Sequence, residues 1–285
     1  MKLLSVLPAI ALLLNGAAPN QRAFEEMAEA ERAFVRRAQE VSVTQAFIEF
    51  FAPDAVGFES GRPGSAREEL RARPVQPRDP NVIFWWEPRY GDVAASGELG
   101  YLTGPVRMGR KDRDGGAVQH GNYASIWKRQ ADGAFKVVVD IGIAPPGEVP
   151  FAPGLTRAPY EARYRGTQIA PLAQASLLAA DRELNEAARS SVSEAFARAA
   201  APAVRVHRNG HLPFEGREAA LRWLASQPPP VRAEVLYAEA ARSADLGYTW
   251  GAWGTGHYAR VWVRESTGLW RVVLDLEAPA PRARP

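Results

Sequence analysis

The sequence predicts an α+β fold in which two similar domains follow each other along one chain. Three observations lead to this prediction. The length of 285 residues is sufficient for two domains of ordinary size. A block of the first half recurs in the second half in the same order. Within each half, helical periodicity comes first and strand patterns come last, which is typical of an α+β domain.

The internal repeat is clearest in two pairs of segments. Ser96–Gly104 aligns with Ser243–Gly251, and Gly121–Asp140 aligns without a gap with Gly256–Asp275. The second pair shares a Gly-x-Tyr-Ala start, a Trp, a later Gly and a Val-Val-x-Asp end. Because the matches keep their order along the chain, a duplication explains them better than two unrelated domains of similar composition do.

The composition excludes several classes of protein. The chain has no cysteine, so disulfide frameworks, thiolate metal sites, iron–sulfur clusters and cysteine nucleophiles are excluded. Hydrophobic residues make up 46% of the chain, which is enough for a packed core. The formal charge of +3 is small for this length and is not concentrated in a basic block, so we expect no nucleic-acid partner.

Residues 1–18 have the pattern of a secretory signal peptide. Lys2 precedes the apolar run Leu3–Leu14, and Asn15–Ala18 forms a small-residue exit, so we expect cleavage after Ala18. The alternative is an uncleaved amphipathic or anchoring N-terminus. No segment reaches the roughly 18 consecutive apolar residues of a spanning helix. We therefore predict a bacterial protein of the periplasm or the medium with no stable membrane span.

Each half is expected to begin with three helices. Apolar residues at helical spacing predict a long first helix in both halves, and a Ser-x-x-Gln or Ser-x-x-Glu capping box then predicts a new helix start. A third, shorter helix is expected around residues 66–72 and 217–225. The residues that carry these patterns are Phe24, Met27, Phe34, Val35 and Ala38, then Leu177, Leu184 and Ala188, and the capping boxes Ser42–Gln45 and Ser191–Glu194.

Strands follow the helices in both halves. We expect a short extended piece with a turn between the second and third helices, and after the third helix an antiparallel meander that closes around a Gly-containing turn. The predicted strands include Val82–Trp86, Glu234–Ala238, Phe135–Ile141 and Trp270–Leu276. The elements divide the chain into a first domain over 22–143, a Pro-rich linker over 144–174, a second domain over 175–278 and a tail over 279–285.

This order of elements resembles the nuclear-transport-factor-2-like superfamily, and within it the SnoaL-like and ketosteroid-isomerase-like domains of unknown function. The repeated Gly-x-Tyr-x-x-x-Trp strand and the closing Val-Val-x-Asp strand carry the resemblance, which covers residues 25–143 and 175–278. Glu215–Ala219 also resembles the start of the family's third helix, and Gly64–Glu68 is a looser match. No catalytic residue of the family can be transferred to a matching motif in this chain.

The resemblance implies two tandem cone-shaped domains, each a curved sheet around a cavity in which a small apolar ligand could sit. Relatives often dimerise through the convex face of the sheet. A tandem chain could supply both partners, so we expect an intramolecular pseudo-dimer with a near two-fold axis and a monomer in solution.

Two carboxylates and several aromatic side chains are the candidate site residues. Asp140 and Asp275 follow apolar strands and are weak catalytic candidates, because a buried carboxyl can exchange a proton near neutral pH. The alternative is a solvated strand end or a carboxylate that is hydrogen-bonded to a neighbouring backbone amide. The candidate ligand-binding residues, which could equally be core aromatics, are Trp85, Tyr101, Tyr123, Tyr237, Tyr248, Trp250, His257 and Tyr258.

The histidines predict no metal site. His207 and His211 are four residues apart, but the Asn-Gly between them predicts a turn rather than a helix that would bring the rings together. His257 stands at the repeat position of Asn122, which suggests one working site and one structural copy. The sequence has none of the common nucleotide-binding, hydrolase or zinc-protease motifs, so we expect no cofactor.

Three hypotheses on function remain open. The first is an exported, non-enzymatic protein that binds a small apolar molecule or a partner in a cone-shaped cavity. The second is a cofactor-independent isomerase or dehydratase-type lyase that uses a buried carboxylate with a Tyr or His as general acid and base. The third is a non-enzymatic protein-interaction module whose cavity is filled by its own side chains.

Overall fold

The computed structural model describes residues 19–58, 63–74, 77–112, 116–160, 162–228, 232–254 and 256–279. The predicted signal peptide and most of the predicted tail lie outside these residues. Within them, the chain forms six helices and two mixed β-sheets, so the α+β prediction is confirmed. No helix in this part of the chain is long and apolar enough to cross a membrane.

The first sheet belongs to the first half of the chain. Its strand order is β2-β1-β7-β6-β5-β4-β8, with β3 paired to β5, and the β1–β7 pair is parallel. The elements of this half are α1 (Pro19–Glu40), α2 (Val43–Phe50), β1 (Phe51–Gly57), β2 (Gly64–Ser65), α3 (Ala66–Arg71), β3 (Val82–Trp86), β4 (Tyr90–Val93), β5 (Leu99–Arg110), β6 (Val118–Arg129), β7 (Phe135–Ile143) and β8 (Thr156–Arg157).

The second sheet has the same topology over its shared strands. Its order is β10-β9-β14-β13-β12-β11, and β9 and β14 are parallel, as β1 and β7 are. The elements are α4 (Ala170–Ala188), α5 (Val192–Ala199), β9 (Ala200–Arg208), β10 (Phe214–Glu215), α6 (Arg217–Leu224), β11 (Ala233–Ala240), β12 (Leu246–Trp253), β13 (Gly256–Arg264) and β14 (Trp270–Ala278).

The predicted helix restarts are confirmed by their caps. The Ser42 hydroxyl accepts a hydrogen bond from the Gln45 backbone N–H at 3.2 Å, and the Ser191 hydroxyl accepts one from the Glu194 N–H at 3.3 Å. The Gln45 side chain donates to Glu49 at 2.9 Å. Each cap therefore satisfies an orphan amide at the start of α2 or α5.

A glycine sets the position of each long helix on its sheet. A Cβ at Gly100 would lie 2.7 Å from the Met27 sulfur, and a Cβ at Gly247 would lie 2.6 Å from a Leu177 methyl carbon. Both distances are too short for non-bonded atoms. The repeated Leu-Gly-Tyr segment therefore has a glycine because α1 or α4 packs directly on it.

The Pro-rich segment between the halves contains regular structure at both ends. Within the stretch predicted as linker, β8 adds a strand to the first sheet, and α4 begins at Ala170 rather than after residue 174. Arg163 crosses from this segment to both halves, since its guanidinium pairs with Asp92 and Asp245. The segment is thus fixed to the folded halves by strand pairing and by buried charge.

The two halves contact each other through reciprocal hydrogen bonds. The backbone N–H of Ser96 donates to the Ser243 hydroxyl and the N–H of Ser243 donates to the Ser96 hydroxyl, both at 3.1 Å. One residue away, the Ala95 N–H donates to the Asp245 carboxylate at 3.1 Å and the Arg242 N–H donates to Glu98 at 2.6 Å. These residues occupy equivalent positions of the repeat, so the same contact is made in both directions.

Candidate functional site

The first half encloses a cavity of about 320 Å³ between its helices and its sheet. Its walls are largely aromatic and aliphatic, and few polar groups reach it. This composition is typical of a site for a small, mostly apolar molecule. The side chains that decide its character are Phe34, Phe47, Phe84, Trp86 and Tyr123 on the apolar side, and Asp140 and Asn209 on the polar side.

Asp140 is the carboxyl group of this cavity. It lies in the sheet, opposite Ser125 of β6, and the Ser125 hydroxyl donates a hydrogen bond to it at 2.8 Å. Burial raises the pKa of Asp140 to about 6, although the Ser125 hydrogen bond opposes the shift. The sequence suggested a strand end at this residue, but β7 continues to Ile143, so Asp140 is a half-buried residue within the strand and not its last residue.

A second carboxyl, Glu31 of α1, lies beneath the cavity. It is fully buried and accepts hydrogen bonds from the indole N–H groups of Trp86 at 2.6 Å and Trp127 at 2.7 Å. Burial, together with the nearby charge of Asp140, raises the pKa of Glu31 to about 8 despite these hydrogen bonds. Glu31 therefore holds its proton at neutral pH.

Sequence reasoning missed Glu31, although a signal for it was present. The residue follows Met27 by four positions and precedes Phe34 by three, which places it on the apolar stripe of α1 and not on its charged face. A carboxyl within such a stripe must find hydrogen-bond donors in the core. Two tryptophan side chains from β3 and β6 supply them.

Tyr123 completes the polar set of the first half. It is a residue of β6 two positions from Ser125, so the two side chains share a face of the strand. Its hydroxyl is buried and has no hydrogen-bond partner in the described part of the chain. Burial raises the pKa of Tyr123 well above its usual value, and the nearby carboxyls Glu31 and Asp140 add to that shift. The hydroxyl thus remains a hydrogen-bond donor.

The second half has a carboxyl pair at the equivalent places, but the residues around it differ. Asp275 repeats Asp140, Tyr258 repeats Tyr123 and Arg260 repeats Ser125. Asp181 of α4 occupies the place of Glu31, four residues beyond Leu177 as Glu31 is beyond Met27. A cavity of about 480 Å³ adjoins this cluster.

Arg260 binds both carboxylates of the second half. Its Nε donates to Asp275 at 2.6 Å, and one terminal nitrogen contacts Asp181 and the Asn185 side chain. Arg208 also pairs with Asp275, at 2.5 Å. Burial alone would raise the pKa of Asp275, but the charges of Arg208 and Arg260 outweigh it and hold that pKa below its usual value. Asp275 is therefore an ionised partner in a buried ion-pair cluster.

Tyr258 joins this cluster as well. Its hydroxyl donates to Asp181 at 3.1 Å and accepts from the Asn185 amide at 2.9 Å. The Arg260 guanidinium also lies 4.2 Å from its ring centroid. Two pairs of candidate residues are thus each found in one half of the chain. Asp140 and Tyr123 lie beside a cavity, and Asp275 and Tyr258 lie within an ion-pair cluster.

The remaining candidate ligand-binding residues lie apart from these clusters. Tyr101 is fully buried in the core of the first half, and Trp85 lies under the Arg107 guanidinium at 5.6 Å. Tyr237 stacks on Trp250 with ring centroids 5.7 Å apart, and both Tyr237 and Tyr248 donate to Glu239. None of Tyr101, Trp85, Tyr237, Tyr248 and Trp250 lines either described cavity.

Two histidines lie at the contact between the halves. The buried His207 accepts a hydrogen bond at Nδ1 from the Asn122 amide at 2.5 Å. The His257 ring stacks on Phe58, with centroids 4.1 Å apart. Burial lowers the pKa of His207 to about 3, with Arg205 and Arg208 adding to the shift, and burial lowers that of His257 to about 4. Both rings are therefore neutral interface groups.

The predicted turn after His207 is present. β9 ends at Arg208, and His211 is an exposed residue whose ring contacts Trp223 at a centroid distance of 5.2 Å. Among the described residues, no group of three or more His, Asp or Glu side chains is arranged to hold a metal ion.

No protein-family model matches the chain, and no curated protein matches it. Similar solved structures do exist. An NTF2-like protein of unknown function from Pseudomonas putida is 15% identical, and the match covers 43% of this chain and 86% of that chain with a TM-score of 0.34. A nuclear transport factor 2 (NTF2-like) superfamily protein from Salmonella enterica is 10% identical, with coverages of 45% and 94% and a TM-score of 0.34.

A third similar structure holds a ligand. It is a protein from Catenulispora acidiphila in complex with S-DNPA, which is 13% identical, with coverages of 43% and 92% and a TM-score of 0.32. The names of the first two proteins are those of the superfamily that the sequence resembles. Each match spans less than half of this chain. At these identities and TM-scores, the ligands and activities of the matched proteins are not transferred to this chain.

Proposed function

We propose that the first half binds a small, largely apolar and uncharged molecule in its cavity, with Asp140 as the main polar contact. The observation that carries the proposal is a carboxyl with a raised pKa inside an aromatic-walled cavity of about 320 Å³. No cationic side chain among the described residues pairs with Asp140. A neutral Asp140 carboxyl can donate a hydrogen bond to an oxygen of the bound molecule.

The state of the two carboxyls favours an uncharged ligand. An anion would be repelled by Asp140 once that group ionises, and Glu31 beneath it remains protonated to about pH 8. A cation would instead bind more tightly as Asp140 loses its proton. The pH dependence of binding therefore distinguishes a neutral ligand from a cationic one.

The experiment is calorimetric titration with 2-acetonaphthone, a neutral aromatic ketone, between pH 5 and pH 8. We expect the affinity to fall above about pH 6, by up to about tenfold per pH unit, because ionised Asp140 can no longer donate. Asp140→Asn should bind with little dependence on pH. Asp132→Asn, which changes an exposed carboxyl in the β6–β7 turn, is the matched control and should keep the wild-type pH curve.

Two results would contradict this proposal. Affinity for 2-acetonaphthone that rises with pH would show that a protonated Asp140 does not donate to the ketone, and the same pH curve in Asp140→Asn and wild type would remove Asp140 from the site. Native mass spectrometry of the purified chain is an independent check, since a co-purified neutral molecule should appear as an added mass.

We further propose that the chain is exported and that residues 1–18 are removed. The support is the charged start, apolar centre and small-residue exit at Lys2, Leu3–Leu14 and Asn15–Ala18. Sequencing of the N-terminus of the protein recovered from a bacterial periplasm should begin after Ala18. Recovery of the intact N-terminus in the cytoplasmic fraction would contradict export.

We also propose that the two halves, over 22–143 and 175–278, pack as a pseudo-dimer about a near two-fold axis. The reciprocal hydrogen bonds of Ser96 with Ser243, and of Ala95 and Arg242 with Asp245 and Glu98, support this arrangement. A two-fold axis pairs residue i of one copy with residue j of the other in both directions. Sedimentation equilibrium should then give the mass of one chain.

A second candidate function is cofactor-independent proton transfer. It is favoured by the pKa of Asp140, about 6, which leaves this group mostly ionised at neutral pH, and by the unpartnered hydroxyl of Tyr123. Asp140 would take a proton from carbon and Tyr123 would donate to the developing oxyanion. Deuterium exchange into the methyl group of 2-acetonaphthone in heavy water tests this activity. We expect exchange with the wild type and none above the solvent rate with Asp140→Asn.

A further inference from the structure

The turn after β9 belongs to the second half but lies against the cavity of the first half. The side-chain Oδ1 of Asn209 accepts a hydrogen bond from the Ala144 backbone N–H at 2.8 Å, and the Gly210 N–H donates to the Ala144 backbone carbonyl at 2.8 Å. Ala144 directly follows β7, the strand of Asp140. Asn209, Ala144 and Asp140 all line the cavity of the first half.

These hydrogen bonds determine which end of the Asn209 side chain is free. Because its Oδ1 accepts from Ala144, a flipped amide would place two N–H groups against each other. The Nδ2 group has no hydrogen-bond partner among the described residues. The turn is also fixed by Gly210, whose φ of 77° lies in the left-handed region that glycine adopts without strain.

We propose that Asn209 is a ligand-contacting residue which the second half supplies to the cavity of the first half. Its Nδ2 donates a hydrogen bond to an acceptor oxygen of the bound molecule, so the cavity selects neutral aromatic molecules that carry a carbonyl or hydroxyl oxygen. This inference rests on the proposed function. It adds that the site of the first half is incomplete without the second half.

The test compares two molecules of nearly the same shape. 2-Acetonaphthone carries a carbonyl oxygen, and 2-isopropenylnaphthalene has a CH₂ group in its place. Titrations are carried out at pH 5, where Asp140 is protonated. We expect the wild type to bind the ketone up to about a hundredfold more tightly than the hydrocarbon, since Asp140 and Asn209 each donate a hydrogen bond that contributes on the order of 1 kcal/mol, or up to about tenfold in affinity.

Asn209→Asp is the informative variant. It keeps an oxygen that accepts from Ala144, so the turn retains its hydrogen bond, but it replaces the free donor with an acceptor. We expect the ketone to bind about tenfold more weakly to Asn209→Asp than to the wild type, while the hydrocarbon changes little. An unchanged melting temperature shows that the turn and the fold are intact.

Two controls localise the effect. His211→Ala changes the same turn at a residue that lines only the cavity of the second half, and it should keep the wild-type preference. Asn209 lines that second cavity as well, so the titrations are repeated in Ala233→Trp, which places a large side chain in it. The preference should persist in this variant.

Each outcome has one meaning. A ketone preference about tenfold smaller in Asn209→Asp than in the wild type, with the wild-type preference kept in His211→Ala and Ala233→Trp, supports the inference. A ketone preference as large in Asn209→Asp as in the wild type overturns it and leaves the proposed function standing, because Asp140 still donates. Equal binding of the two molecules by the wild type contradicts the hydrogen bond from Asp140 as well, so it overturns both. Binding of neither molecule by the wild type overturns the proposed function and the inference together.

Discussion

The two halves carry buried carboxyl pairs at equivalent places and stabilise them in different ways. Glu31 and Asp140 of the first half accept hydrogen bonds from uncharged donors, two indoles and a hydroxyl. Asp181 and Asp275 of the second half share the Arg260 guanidinium. Asp275 also pairs with Arg208, so the second half has two guanidinium groups at its acids where the first half has the Ser125 hydroxyl and two indoles.

The comparison shows how the charge of the neighbouring hydrogen-bond donors changes the pKa of a carboxyl group in the core. Uncharged donors satisfy a carboxyl without compensating its charge, so burial raises the pKa of Glu31 to about 8 and that of Asp140 to about 6. A guanidinium supplies the opposite charge, and Asp275 remains ionised. The first half keeps acids that can exchange a proton, whereas the second half uses its acids to fix the structure.

The largest effect is expected from removing the guanidinium. Arg260→Met leaves Asp181 buried without its cation, and loss of one partner from a buried ion pair costs about 3–5 kcal/mol of unfolding free energy. Ser125→Ala, the matched change in the first half, should cost only about 1 kcal/mol. Urea denaturation measures both, and equal losses would show that the two positions do not differ in this way.

The protonated Glu31 of the first half should also make the stability of the chain depend on pH. Glu31 keeps its proton in the folded chain at pH values where it ionises in the unfolded chain, because its folded pKa is about 8. Its contribution is complete below about pH 4 and is lost as the pH rises through 8, with a slope of up to about 1.4 kcal/mol per pH unit. Glu31→Gln should lack this slope in urea denaturation from pH 5 to pH 8.5. Parallel curves for the two proteins would be the contrary result.

Converting the first half towards the second should abolish its site. Ser125→Arg places a guanidinium beside Asp140 and should keep that carboxyl ionised at pH 5, so the affinity for 2-acetonaphthone should fall at least about tenfold. The remaining affinity should no longer vary between pH 5 and pH 8. Calorimetric titration measures this, and an unchanged pH curve would mean that the residue at position 125 does not control Asp140.

The smallest effects concern the contact between the halves. Ser96→Ala and Ser243→Ala each remove hydrogen bonds of one reciprocal pair, so each should cost about 0.5–1.5 kcal/mol of unfolding free energy. Because the two hydroxyls contact each other at 2.7 Å, the double variant should cost less than the sum of the single ones. Strictly additive losses would argue against the reciprocal contact.

Much of the fold could be predicted from the sequence because its signals are local. The helix restarts at Ser42 and Ser191, the strand Val82–Trp86 and the turn after His207 depend on neighbouring residues, and each was found where expected. The repeat also gave the shared order of helices and strands. The turn after His207 also shows what the sequence does not predict. Its conformation follows from the local residues, but its contact with Ala144 in the first half does not.

Less of the candidate site could be predicted from the sequence, because its chemistry depends on contacts between residues that are far apart along the chain. Glu31 is 55 residues from Trp86 and 96 residues from Trp127 along the chain, and nothing near it in sequence shows that two indoles will meet it. Asp140 and Asp275 look alike in sequence, and they differ because Arg260 on the neighbouring strand and Arg208 of β9 both pair with Asp275. Asn209 lies in the other half of the chain from the cavity that it lines.

The contact between Asn122 and His207 differs from its counterpart, the stacking of His257 on Phe58. By the repeat, Asn122 corresponds to His257, and Phe58 corresponds to His207. In a symmetric dimer of identical chains, both copies of a contact consist of the same residue types. Two different contacts at equivalent places, as here, are therefore impossible in such a dimer. In the proposed pseudo-dimer the two copies belong to one polypeptide, so either copy can change at this contact without the same change in the other.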